Sequence, residues 1–158
     1  MRSIANWLVM AAFVSCVTLM WNSYHSRSIV SAQQRMPVTV TRIFTGSDGQ
    51  THAEQVDVKL TPVAGQYAQW WEHSQSVKAT SSQFVRFAAG FVQDWHPAAA
   101  RRYVITLSGR GEIELADGTK IPLEPGRVLQ AEDVTGKGHM LRTLGKEDWV
   151  VLFVQFDQ

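Results

Sequence analysis

Cysteine is almost missing from this chain: Cys16 is the only one in 158 residues. A disulfide framework is therefore excluded. Beyond Cys16 there is no thiol nucleophile and no thiolate ligand, so a metal site would have to use nitrogen and oxygen donors. An excess of one charge is missing too. Lysine and arginine number 15 against 14 acidic residues, and without Arg2 and Arg27 the balance is 13 to 14. No basic stripe appears, which excludes the electrostatic footprint of a nucleic-acid binder. There is no internal repeat, and the length leaves room for one domain behind a targeting segment.

What the chain does have at its start is a run without charge. Ile4 to Trp21 carries no ionisable acid or base, and Arg2 precedes it. A basic start followed by an apolar stretch is the pattern of a secretory signal. The run is also just long enough to cross a bilayer as a helix. Val30-Ser31-Ala32 offers small residues to a signal peptidase, although far from Trp21. Cleaved signal, uncleaved anchor and buried core helix all remain open. The expectation is a protein that is exported (periplasmic, extracytoplasmic) or membrane-anchored by residues 4–21. Arg2 on one side, with Arg27 and Arg35 on the other, leaves the orientation undetermined. Residues 1–35 are thus signal or anchor plus a polar tether, and 36–158 are the folded domain.

After Met36 the pattern is alternation. Val38 and Val40 alternate with Thr39 and Thr41, and Ile43-Phe44 continue the strand until the turn residues Gly46-Ser47-Asp48-Gly49. Val56, Val58 and Leu60 alternate with Asp57 and Lys59. Further strands are expected at Gln83–Ala88, Tyr103–Leu107, Gly111–Leu115, Lys120–Leu123, Val128–Ala131, His139–Leu144 and Trp149–Phe156. Asp117-Gly118 between two apolar runs is a hairpin signal. One helical turn is expected at Ala68–Ser76, where Tyr67, Trp70, Trp71 and His73 read as a packing plug over a barrel end. Many short strands at regular spacing predict a sandwich or closed barrel.

The order of landmarks in the second half is more specific. Gly90, then Trp95-His96-Pro97, then Tyr103-Val104-Ile105-Thr106-Leu107-Ser108-Gly109-Arg110-Gly111-Glu112, then Leu123-Glu124-Pro125-Gly126-Arg127-Val128, then Gly138-His139, resembles the cupin family. The resemblance covers about Gln83 to Phe156. It implies an all-β, cupin-like double-stranded β-helix (jelly-roll) barrel at 36–158, behind an N-terminal hydrophobic helix. In that family three histidines and a glutamate hold a metal. Aligned on Gly109, His96 takes the first ligand position, Ala98 the second, Arg102 the glutamate position and His139 the last. Two of the four expected ligands are therefore replaced.

These departures shape the functional expectation. The leading reading is a small-molecule-binding cupin-like domain outside the cytoplasm, with a polar or anionic ligand. Trp95, His96, Arg102, Tyr103 and His139 are its candidate ligand-binding residues. Adjacent strand residues face opposite sides, so one of Arg101 and Arg102 points inward. A guanidinium there clamps a carboxylate or phosphate, unless it pairs with Glu112, Glu114 or Glu132. The alternative is a metal-dependent cupin enzyme of dioxygenase, isomerase or decarboxylase type. Its divalent ion (Fe, Mn, Ni or Zn) would sit on His96, His139 and Glu132, with Asp133, His52 or Glu54 as other recruits. A third reading is a structural or assembly homodimer that exchanges an edge strand such as Val38 to Phe44. Expected partners are a small molecule, the membrane if the anchor stays, a second copy, and no nucleic acid.

Overall fold

The structure, a computed structural model, describes residues 36–157. The hydrophobic segment 4–21 and its tether lie outside the described residues. The described part contains twelve strands: β1 (Thr39–Thr45), β2 (Thr51–Asp57), β3 (Thr61–Pro62), β4 (Glu72–His73), β5 (Ala79–Phe87), β6 (Val92–His96), β7 (Arg102–Ser108), β8 (Gly111–Glu114), β9 (Lys120–Leu123), β10 (Val128–Glu132), β11 (His139–Thr143) and β12 (Trp149–Phe156). No described residue lies in a helix.

One sheet runs β2-β1-β10-β7-β12-β5, a second β6-β11-β8-β9, and β3-β4 form a small two-stranded third. Strands β5 to β12 supply four strands to each of the first two, β5-β12-β7-β10 facing β6-β11-β8-β9. The chain crosses between the layers at nearly every connection. That strand order is a jelly roll. The β1–β2 hairpin extends the first sheet, with β1 lying parallel to β10. Thr39–Thr45 therefore sits between two neighbours, and the open edges of this sheet are β2 and β5. An exchange through Val38 to Phe44 has no edge to start from.

Alternation places the core. In β8 and β9 every second residue is buried, so Ile113, Ile121 and Leu123 meet Leu129 and Ala131 of β10, Val104 of β7 and Leu141 of β11 between the layers. Each such aliphatic side chain contributes about 1.5–3 kcal/mol when fully withdrawn from water. The Asp117-Gly118 turn closes β8 onto β9: Gly118 has φ +84°, the Leu115 N–H donates to the Thr119 carbonyl at 2.9 Å, and the Thr119 N–H donates to Asp117 Oδ1 at 2.8 Å.

Two expectations change. The return strand of the first hairpin begins at Thr51, not Val56, because the turn is tight: the Gly46 N–H donates to the Gln50 carbonyl at 2.8 Å and pairing starts at Thr45–Thr51. Ala68–Ser76 forms turns and the short strand β4 in place of a helical turn. Its tryptophans do not plug the barrel, since Trp70 is 76% and Trp71 59% exposed.

Strand β5 is different from the others. Along its nine residues only Val85 and Phe87 are even half-buried, and most of β6 is exposed as well. The layers are packed tight at the β8–β9 end and leave space at the β5–β6 end.

Candidate functional site

That space is a cavity of about 220 Å³. Its walls are mainly apolar, among them Val85, Phe87, Val104, Ile113, Leu129 and Phe153, and its ionisable groups are His96, Arg102 and His139. Three side chains from three strands thus meet in one enclosed place.

The two imidazoles come together through strand pairing. His96 at the end of β6 is the antiparallel partner of His139 at the start of β11, and their ring centroids are 4.7 Å apart. Gly138 makes the approach possible: it has φ +72°, and a Cβ there would overlap the His96 carbonyl. A side chain at 138 would push the two strands apart and separate the rings.

Each ring is held by its Nδ1. His96 Nδ1 lies 2.7 Å from the Asp94 carbonyl oxygen. A carbonyl only accepts, so Nδ1 carries the hydrogen and Nε2 of the neutral ring is an acceptor. His139 Nδ1 lies 2.6 Å from Asp133 Oδ2, and a hydrogen on Nδ1 donated to that oxygen gives the same tautomer. Burial pushes His96 below the usual histidine range; the charges of His139 and Arg102 add to this, while the Asp94 bond and Asp133 oppose it. His96 therefore remains neutral at pH values where a free histidine is protonated.

Asp133 is the residue that the sequence reading undervalued. It is wholly buried, its Oδ2 also accepts from Thr51 Oγ1 at 3.1 Å, and its Oδ1 has no hydrogen-bond partner among the described residues. Its backbone carbonyl receives the Ala98 N–H at 3.0 Å, tying the loop before β11 to the segment after β6. Strand alternation gives no signal here, because Asp133 follows the last residue of β10.

Arg102 enters from β7. Its Nε donates to the Ala100 carbonyl at 3.1 Å and its guanidinium carbon lies 4.7 Å from the centre of the Phe153 ring. Burial pushes its guanidinium below the ordinary arginine value, with the Asp133 charge acting against that shift. The carboxylates that could have paired with it are occupied elsewhere. Glu112 and Glu114 bind Arg142, and Glu132 binds Arg42 at 2.5 Å. Among the described residues Arg102 has no ion-pair partner.

The remaining candidates face other ways. Tyr103 follows Arg102 on one strand and so takes the opposite face, where its ring packs against Phe156 with centroids 4.9 Å apart. Trp95 lies under Lys137, whose Nζ is 4.3 Å from the ring centre. Glu132 is on the face of β10 opposite Ala131, where it accepts from Arg42 and from Gln130. Glu54 is with Arg42 and His52 is with Asp48. None of these five lines the cavity.

A cupin-type metal centre needs three or more nitrogen and oxygen ligands converging with open positions left over. Among the described residues no group of three or more His, Cys, Asp or Glu could hold an ion. In the cavity the two imidazoles face a guanidinium, which repels a cation, and Glu132 is turned away. The residues present do not fit such a centre.

No protein-family model and no curated protein matches the sequence. Solved structures do resemble it. A Cupin 2 conserved barrel domain protein from Salinispora arenicola is 21% identical over 48% of this chain, with a TM-score of 0.40, and this chain spans 61% of that protein's length. An RmlC-like cupin from Desulfovibrio desulfuricans is 23% identical over 49% of this chain and 74% of its own, at 0.37. A cupin domain from Bordetella pertussis is 13% identical over 79% of this chain and 99% of its own, at 0.40. The jelly-roll barrel follows from the chain's own strand order, β5-β12-β7-β10 against β6-β11-β8-β9.

Proposed function

We propose that the chain is a cupin whose barrel binds a small anion, a carboxylate or phosphate, on Arg102 beside His96 and His139. The observation that carries this reading is an arginine without an ion-pair partner among the described residues, in a largely apolar cavity. A half-buried cation loses hydration that an anionic partner makes good, and the planar guanidinium fork matches carboxylate and phosphate geometry. The cavity is smaller than the roughly 300–1,000 Å³ that holds drug-sized ligands, so the ligand is correspondingly small. Among the described residues the metal-dependent reading lacks a third ligand.

Calorimetric titration with pyruvate, succinate and inorganic phosphate tests this on protein freed of metal by chelation. At least one should bind, and Arg102→Ala should weaken it by about 2–5 kcal/mol, the loss expected when one partner of a desolvated charge pair is removed. Equal affinity in wild type and variant would place the anion elsewhere and end the proposal.

Two companions belong to the same reading. Residues 4–21 carry the barrel out of the cytoplasm, which cell fractionation of the full chain tests. The barrel also pairs with a second copy along β5, an exposed sheet edge that presents Phe84 at 73% exposure, the kind of edge that proteins commonly cover. A monomer in light scattering at working concentration removes the dimer.

A further inference from the structure

We propose that this pocket is a metal-free general-base site, in which His139, held by Asp133, takes a proton from the carbon next to the carbonyl of a small oxo acid whose carboxylate lies on Arg102. The inference rests on the anion pocket proposed above and adds a reaction to it.

The arrangement has the parts that such chemistry needs. A base requires a free lone pair facing the substrate, and the 2.6 Å contact between His139 Nδ1 and Asp133 Oδ2 leaves Nε2 for that role. It also requires something to stabilise the imidazolium that forms, and a buried carboxylate on the other nitrogen does so. Asp133 is itself held from a second side by Thr51 Oγ1 at 3.1 Å, so the ring cannot easily turn. Asp133 does not touch substrate; it is a positioning residue. A merely structural aspartate would be expected to use both oxygens for backbone or side-chain donors. Here one oxygen serves His139 and Thr51, while Oδ1 is buried without a partner among the described residues.

The other two groups define the substrate. Arg102 uses Nε on the Ala100 carbonyl, which leaves its terminal N–H groups for a carboxylate and the adjacent carbonyl oxygen. His96, neutral and with Nε2 as an acceptor, takes a hydrogen bond from a hydroxyl. A short 2-oxo acid offers its carboxylate and carbonyl oxygen to Arg102, and its enol offers the hydroxyl to His96, in a cavity of about 220 Å³.

The step balances without a co-reactant. The C–H bond breaks, its proton goes to His139 Nε2, and its electron pair moves toward the carbonyl oxygen, where the guanidinium meets the developing charge. The imidazolium trades that proton with water, and a solvent-derived proton is then delivered to the same carbon, giving exchange, or to a neighbouring atom, giving an isomer.

Proton exchange reads this directly. Full-length, chelator-treated protein in deuterium oxide is incubated with pyruvate, 2-oxobutanoate or oxaloacetate, and loss of the proton signal beside the carbonyl is followed by NMR. The expected result is exchange above the buffer rate for at least one probe, unchanged by chelator. His139→Gln should lower it about 10²–10⁴-fold, the usual contribution of a positioned base. Asp133→Asn should slow it, shift its pH profile and alter the nitrogen chemical shifts of the His139 ring, while probe affinity stays within about threefold. Should that variant not fold, His139→Gln carries the test. Binding of a probe without exchange overturns the general base and leaves the anion pocket standing; exchange that survives in His139→Gln also overturns it. Failure of every oxo acid and phosphate to bind overturns both.

Discussion

Gly111 and Trp149 offer a quantitative test of how the barrel is packed. Trp149 is fully buried, stacks on Phe87 with centroids 5.0 Å apart, and donates its indole N–H to Thr106 Oγ1 at 3.2 Å. Gly111 lies against the indole: a Cβ there would come within 2.6 Å of Cδ2, Cε3 and Cζ3. Carbon atoms prefer about 3.5–4.0 Å, so Gly111→Ala demands a shift of roughly 1 Å in a packed wall and should cost about 1–3 kcal/mol. Its backbone is not in the left-handed region, so the cost is steric alone. Trp149→Phe removes Cε3 and Cζ3, two of the three atoms that the new methyl would strike, and deprives the Thr106 hydroxyl of its donor at about 1–3 kcal/mol. In the double variant the methyl occupies space that the phenylalanine vacates. The two losses should therefore sum to less than their parts, with a coupling of about 0.5–3 kcal/mol. Urea unfolding of the four proteins measures it. Additivity within about 0.5 kcal/mol would show that Gly111 does not abut the ring as described.

Four further outcomes follow from the site and its surroundings. Gly138→Ala should destabilise the fold and abolish anion binding together, since it strains a backbone at φ +72° and drives β11 away from His96; binding retained at wild-type strength would contradict the strand contact. Glu132→Gln should cost roughly 1–3 kcal/mol of stability by leaving Arg42 with Glu54 alone, and should leave anion affinity unchanged; weakened binding would bring Glu132 into the pocket. Because His96 is held below its usual value, the unfolded chain binds more protons than the folded one as pH falls below about 6.5. Stability should decline through that window, and the decline should be shallower in His96→Gln, with His139, Asp133 and Arg102 unchanged around it; identical acid limbs in thermal melts would refute the assignment. Dialysis against chelator should leave the melting temperature unmoved, and a fall would reveal a structural ion.

The parts of this protein that were legible from sequence are those governed by local rules. Alternation located β7 to β12 to within a residue or two, and Asp117-Gly118 marked its hairpin, because side-chain period and turn sterics act over neighbouring positions. The landmarks from Gly90 to His139 pointed to a jelly roll and brought His96, Arg102 and His139 forward as a group. Alternation also said that Arg101 and Arg102 could not share a face, although it did not say which one was inside.

Tertiary structure decided the rest. That Arg102 is the inward residue depends on the register of β7 between β10 and β12, and Glu112, Glu114 and Glu132 lie on other faces, where they pair with Arg142 and Arg42. Glu132 and Asp133 are neighbours in sequence and opposites in space, one bound to an arginine on the far face of β10 and the other supporting His139. Composition and periodicity treat the two alike. Only the path of the chain as it leaves β10 and turns into β11 separates them, because a carboxylate acts on what lies within about 3 Å, and sequence alone does not carry that distance.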